Sequence, residues 1–156
     1  MRIPTAHIEP ELKAIERYDA IRELLRRLVH AGALLITAEP EIFAAFSERE
    51  KVMSTGVGFR LGFPHITSDE VSEPVVAFGR SQAGIEFDSL DDKPVEFIFL
   101  FILPTNGFPS HERARFMGRI GHALGNRHAQ TMMRECLTAR EIADALERAF
   151  NDGPAA

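Results

Sequence analysis

Phe97-Ile98-Phe99-Leu100-Phe101-Ile102-Leu103 is the segment that most limits how this chain folds. Large apolar residues stand at every position, so neither face of the segment suits water. A strand with this pattern is buried on both sides. The run is well short of the ~18 residues that a membrane span requires. It follows Asp91-Asp92, which is turn chemistry, and Pro94, so a central strand is predicted over 94–103. Such a strand needs a layer of structure on each face.

The flanking sequence supplies those layers. Ile21, Leu24, Leu25 and Leu28 follow the i, i+3, i+4, i+7 rule. That predicts a helix over about 19–31, with Arg22, Arg26 and Arg27 in water and Gly32 as its stop. A second helix follows Pro40, with Ile42, Phe43 and Phe46 inward and Glu48, Arg49 and Glu50 near its end. Short strands are expected at 61–64, 74–78 and 84–87. After the central strand, Ser110 caps a helix to about Leu124, with Phe116, Ile120 and Leu124 on one face. A last helix starts at the capping box Thr138-Ala139-Arg140-Glu141, with Leu137 stapled onto Ile142. Its buried stripe is Ile142, Ala145, Leu146 and Ala149. The expectation is an α/β fold: a mixed sheet of about five strands with helices on both faces.

The chain has 156 residues, 45% apolar and 26% charged, which fits one globular domain over 1–156. Residues 151–156 read as a frayed tail. The net charge of −5 opposes bulk binding to nucleic acid or anionic membranes. The single cysteine, Cys136, excludes an internal disulfide and a cysteine-rich zinc site. Met1-Arg2-Ile3-Pro4 lacks the apolar stretch of a signal peptide. A soluble, cytoplasmic protein without membrane insertion is expected.

Six histidines are the first candidates for chemistry. His7, near the terminus, and His30, at a helix end, are expected to be inert. His65 follows Gly62-Phe63-Pro64 at the end of a short strand, where a rigid approach presents one ring nitrogen outward. A neutral imidazole is a competent nucleophile near pH 7. His111 follows the cap Ser110, in a first helical turn whose unpaired N–H groups attract anions. His122 and His128 lie six apart, not at the spacing of a helical metal pair. Zinc held by His65, His111 and His122 is an open but undiagnostic option. Gly56, Gly58 and Gly62 do not make a nucleotide P-loop, and no G-x-S-x-G elbow occurs. Arg49, just before the glycines, carries a guanidinium suited to clamping a phosphate.

In order along the chain, these segments resemble the mannitol/fructose-type enzyme IIA of the bacterial phosphotransferase system, and within it the nitrogen-regulatory IIA proteins. Arg49-Glu50-Lys51-Val52-Met53-Ser54-Thr55-Gly56-Val57-Gly58 is similar to the family's Arg-Glu…Ser-Thr-Gly-Ile-Gly. Gly62-Phe63-Pro64-His65 resembles Ala-Ile-Pro-His. Val75 to Arg80 and Gly84 to Phe87 resemble the next two strands. Asp91-Asp92-Lys93-Pro94-Val95 resembles Asp-Gly-Lys-Pro-Val, and the Pro104…His111 spacing matches the run to the family's second histidine. The resemblance implies the mannitol-type enzyme IIA fold and a phosphohistidine intermediate, with His65 accepting a phosphoryl group on Nε2 from an HPr-type carrier. It also implies that His111 and Arg49 stabilise the phosphoryl group. No metal or cofactor is expected, because positioning and charge neutralisation suffice when the leaving group is another imidazole.

Two departures stand out. Phe59-Arg60 replaces the Asn-Gly of regulatory members and the Glu of mannitol members, removing a polar group near His65. His111 is followed by Glu112 where the family has Leu. Phe59 and Arg60 are expected at the rim of the His65 pocket, with Arg60 offering a further cation and Phe59 either exposed for docking or folded into the core. With no IIB or membrane domain in the sequence, a regulatory, nitrogen-type role is favoured over direct sugar transport. The partner downstream is then a regulatory protein or a separate IIB domain. The alternative is a IIA-like binding module that no longer turns over phosphate.

Overall fold

The computed structural model describes residues 1–152. Its sheet is built on β6 (Val95–Pro104), which accepts neighbours on both edges. On one edge lies β5 (Val75–Ile85), antiparallel, with β1 (Ile8–Glu9) parallel beyond it. On the other edge β3 (Leu61–Gly62) and β4 (His65–Ser68) follow one another along β6, both parallel to it. Strand β2 (Gly56–Gly58) closes that side by pairing antiparallel with β3. The sheet is mixed and has six strands. The gap between β3 and β4 is Phe63-Pro64, where proline has no N–H to lose from the ladder; the Pro64 carbonyl still accepts from Phe101 N–H at 2.9 Å.

Residues of β6 alternate between two cores, as a period of two requires. Phe97, Phe99, Phe101 and Leu103 face one helical layer: α3 (Ser110–Leu124), α4 (Arg127–Glu135) and α5 (Ala139–Asn151). Ile98, Leu100 and Ile102 face the other, made by α1 (Arg17–His30) and α2 (Glu39–Val52). The predicted stripe of α1 is buried throughout, and Ile42 and Phe46 of α2 pack beside it. Among the described residues no helix is long and apolar enough to cross a membrane.

Several local expectations are corrected. The two strands expected at 74–78 and 84–87 merge into one long strand, β5, which runs from Val75 to Ile85 with a register shift between Arg80 and Ile85. Gly84, at φ +82°, absorbs the irregularity. Helix α1 starts at Arg17, because the Glu16 carboxylate accepts from Tyr18 N–H and Asp19 N–H and serves as the cap. Ser110 is the first residue of α3 rather than its cap; Pro109 occupies the cap position without a side-chain bond. Thr138 does cap α5, but Glu141 reaches the Leu137 N–H, and the Leu137 side chain stays exposed, so the staple is absent. Asn151, expected in the frayed tail, ends α5; residues 153–156 of that tail lie outside the described residues.

Arg80 is buried and ties the layers together. Its Nη1 donates to the carbonyls of Met133 (2.7 Å) and Cys136 (2.5 Å) at the end of α4, and its Nε to Pro10 (2.9 Å). A cation at a helix C-terminus also suits the helix dipole.

Phe99 is the centre of an aromatic cluster, with ring centroids 4.9 Å from Phe78, 6.0 Å from Phe63 and 6.4 Å from Phe101. Phe99→Ala is expected to cost about 3–5 kcal/mol, read as a lower denaturant midpoint at unchanged slope. A loss below 1 kcal/mol would contradict a close-packed β6.

Candidate active site

His65 is the first residue of β4 and pairs in register with Phe101. Phe101 faces the α3 layer, where Phe116 packs edge-on against it at 5.2 Å. Parallel neighbours in register point to the same side of a sheet, so His65 lies on the α3 side. Its ring is half-buried in the wall of an open cavity of about 480 Å³. Arg49, Met53, Thr55, Phe59, Phe63, Leu90, Met117 and Gly121 also line this cavity.

The ring's two nitrogens are inequivalent. Nδ1 stands 2.8 Å from the Phe63 carbonyl oxygen. A carbonyl only accepts, so Nδ1 carries the proton and Nε2 keeps its lone pair. Burial holds the His65 pKa below the ordinary 6.5. Arg49 and Arg113 push it the same way, while the bond to Phe63 opposes them. The site therefore holds a neutral imidazole with a free Nε2 in a positive field.

Arg49 reaches the cavity from the last turn of α2 and is steadied by an Nη1 bond to the Met53 carbonyl at 3.0 Å. His111 is exposed in the first turn of α3 and is not among the lining residues. Met117 and Gly121 line the cavity one turn apart, and Arg113 is one turn earlier on the same stripe. His111 lies about 200° round the helix from Arg113 at 3.6 residues per turn. Arg113 was missed in the sequence because motif spacing pointed to His111; the i, i+4 stripe back from Met117 is the signal that finds it. His65, His111 and His122 are not brought into a metal-binding group among the described residues. His122 and His128 line a separate cavity of about 210 Å³ between α3, α4 and α5.

The departure at Phe59-Arg60 has a backbone explanation. Both residues have positive φ, 54° and 64°, and they join β2 to β3 as a two-residue hairpin. Such a turn needs positive φ at both central positions, which is why Asn-Gly is favoured there. Phe59 and Arg60 adopt this conformation against their preference, and their neighbours enforce it. The Phe59 carbonyl accepts from Gln130 Nε2 at 2.6 Å, and the Arg60 carbonyl from Glu96 and Phe97 N–H at 3.0 Å. Phe59 is exposed at the cavity rim, not folded into the core. Arg60, expected at the same rim, turns instead toward the Pro94 carbonyl and Glu96 and is not among the lining residues.

Two outcomes are expected. Replacing Phe59 by Asn should relieve about 1 kcal/mol of left-handed strain and raise Tm by about 2–4 °C; a lower Tm would mean the ring packs more than its exposure suggests. NMR titration should give His65 a midpoint below 6.5, and Arg113→Gln should move it upward. Unfolding then takes up a proton in the window between the lowered folded value and about 6.5. The stability linked to His65 is full above about pH 6.5 and declines as pH falls through that window.

Comparison with known proteins identifies the architecture and the family. The family model described as "Phosphoenolpyruvate-dependent sugar phosphotransferase system, EIIA 2" matches residues 3–149. The fructose-specific EIIA component of the phosphotransferase system of Haloferax volcanii is 35% identical over 143 residues, 92% of this chain and 90% of that protein. A nitrogen regulatory protein of Bradyrhizobium diazoefficiens is 28% identical over 89% of this chain and 88% of its own length. The crystal structure of nitrogen regulatory protein IIA-Ntr from Neisseria meningitidis superposes with a TM-score of 0.80 at 24% identity, covering 92% of this chain and 95% of that one, and shows the same fold. The chain belongs to the EIIA 2 family of the phosphoenolpyruvate-dependent sugar phosphotransferase system and is a phosphocarrier component of it.

Proposed function

We propose that the chain receives a phosphoryl group on Nε2 of His65 from an HPr-type phosphocarrier protein and passes it to a separate IIB-type acceptor. The observation that carries this reading is the committed tautomer: Nδ1 is held by the Phe63 carbonyl, leaving Nε2 unprotonated at the wall of an open cavity. The Nε2 lone pair attacks the phosphorus of the donor's phosphohistidine. The donor's P–N bond breaks and its electron pair returns to the donor ring. The Nδ1 proton stays against the Phe63 oxygen, where the carbonyl dipole stabilises the substituted, positively charged ring. Arg49 and Arg113 neutralise the phosphoryl oxygens.

Met53, Val57, Phe59 and Leu90 are exposed apolar residues around the mouth of the same cavity. An aromatic anchor in an apolar rim fits docking of a protein partner. This exchange among phosphocarriers belongs to the cytoplasm. The higher identity to a fructose-specific component supports transfer to a IIB-type protein over the regulatory role favoured on sequence grounds. The nitrogen-regulatory relative supports the second reading, in which phosphorylation of His65 controls a downstream regulatory protein. A binding module without turnover is disfavoured by a site that keeps a neutral nucleophile beside arginines.

The test supplies phosphoenolpyruvate, the general phosphotransferase components and an HPr-type donor. Wild type should take up phosphate. His65→Ala should take up none while keeping its circular dichroism. Arg49→Gln should slow uptake about a hundredfold, the usual cost of ~3 kcal/mol for one charge-stabilising donor. Undiminished uptake in His65→Ala would overturn the assignment. Onward transfer to a fructose-type IIB protein separates the sugar-linked reading from the regulatory one.

A further inference from the structure

We infer that Glu50 and Thr55 are positioning residues that hold the His65 ring in its Nδ1–H form, acting through Phe63. The inference rests on the reading of His65 as phosphoryl acceptor and adds the groups that prepare it.

Glu50 lies near the end of α2 and is only 1% exposed. A buried carboxylate is costly unless its oxygens are used. Here they are: one accepts from the Thr55 hydroxyl and the other from the Thr55 N–H at 3.2 Å. Arg17 Nη1 stands 3.8 Å from Glu50 as countercharge. Thr55 is thus held by its side chain and its backbone in the segment between α2 and β2, where no helix ladder fixes it. The Thr55 carbonyl in turn accepts from Phe63 N–H at 3.0 Å. Phe63 precedes Pro64, which restricts its ψ to the extended region. Anchoring the Phe63 N–H therefore aims its carbonyl, and that carbonyl takes the His65 Nδ1 proton at 2.8 Å. The line from Glu50 to His65 contains a hydrogen bond at each transfer between residues. It begins at a carboxylate whose burial nothing in the phosphoryl chemistry requires. If the line is loosened, the Phe63 carbonyl loses its aim and the ring proton can return to Nε2, blocking the lone pair.

The experiment compares wild type, Thr55→Val, Thr55→Ser and Glu50→Gln, each labelled with 15N-histidine. The ring 15N shifts of His65 report the tautomer with no phosphoryl donor present. Separately, kcat and KM are measured for uptake from the phosphorylated HPr-type protein. Wild type and Thr55→Ser should show Nδ1–H. Thr55→Val should shift His65 toward Nε2–H and lower kcat roughly tenfold, the worth of one hydrogen bond, with KM unchanged. Glu50→Gln keeps the shape but only one acceptor oxygen, and should move the tautomer the same way; it carries the test if Thr55→Val does not fold. An unchanged Nδ1–H signal in the folded variants overturns the inference, even if their Tm falls, because that outcome is merely structural. Loss of the signal in Thr55→Ser also overturns it. Failure of wild type to be phosphorylated on His65 would sink the proposed function alone, since the tautomer is read independently.

Discussion

Because every residue of β6 from Phe97 to Leu103 is buried, that strand sets the position of both helical layers and of both short strands on its edge. Alternate side chains lock into different cores, so a shift of one residue would exchange the whole set between faces. Register on such a strand is therefore rigid, and β4 inherits that rigidity through its pairing with β6. His65 lies opposite Phe101 for this reason, on the side covered by α3. The interruption at Phe63-Pro64 is tolerated because the ladder continues before and after it. It also frees the Phe63 carbonyl from the sheet, so that it can be spent on the histidine ring.

The turn at Phe59-Arg60 shows a second constraint working at the rim. A two-residue connection between β2 and β3 imposes left-handed backbone on whatever residues occupy it. An aromatic there is strained, and strain of this kind persists only where neighbours hold it. Gln130 from α4 holds the Phe59 carbonyl, while the start of β6 holds Arg60. Glu96 is shared between Arg60 and Arg134, the latter at 2.6 Å. The hairpin tip is thus tied to the helical layer on one side and the central strand on the other. The replacement of Asn-Gly is in the first place a change of turn chemistry. Its consequence for the surface is an exposed ring where a small polar pair would otherwise stand.

Much of this was legible before any coordinates. The apolar run dictated the central strand, and the i, i+3, i+4 stripes dictated the helices that cover it. Thr138 marked the start of α5 because a capping side chain leaves a local signature. What escaped was one uncommon local cap, together with features set by tertiary partners. Glu16 is not a favoured cap residue, so the start of α1 was read two residues late. The strand at 84–87 looked separate from the one before it, although a long antiparallel partner carries β5 through the irregularity at Gly84. Glu50 falls on the stripe of Ile42 and Phe46 at i+4 spacing, so its burial was predictable from the period; its charge hid it. His111 matched a motif spacing, whereas Arg113 earns its place near His65 only through the pitch of α3. Arg60 looked like a spare cation, and the twist of its own turn directed it to Glu96.

The choice of a carbonyl as the partner of Nδ1 follows from the charge that the ring must carry. A carboxylate would also fix the tautomer, but it would favour the imidazolium strongly and cost Nε2 its lone pair near neutral pH. A backbone carbonyl selects the same tautomer with a weaker pull on the proton. Burial outweighs that pull, and Arg49 and Arg113 add to burial, so the net direction for His65 is down. The same two cations oppose a proton on the ring and attract an incoming dianion. Before transfer they keep the nucleophile neutral; after it they face a group of opposite charge in a partly desolvated pocket, where such attraction is stronger than in water. One arrangement of charges thus suits both states of the ring, and it requires that the group orienting Nδ1 carry no full charge of its own. The carboxylate in this region, Glu50, is instead kept at a distance, where it acts on the backbone and not on the imidazole.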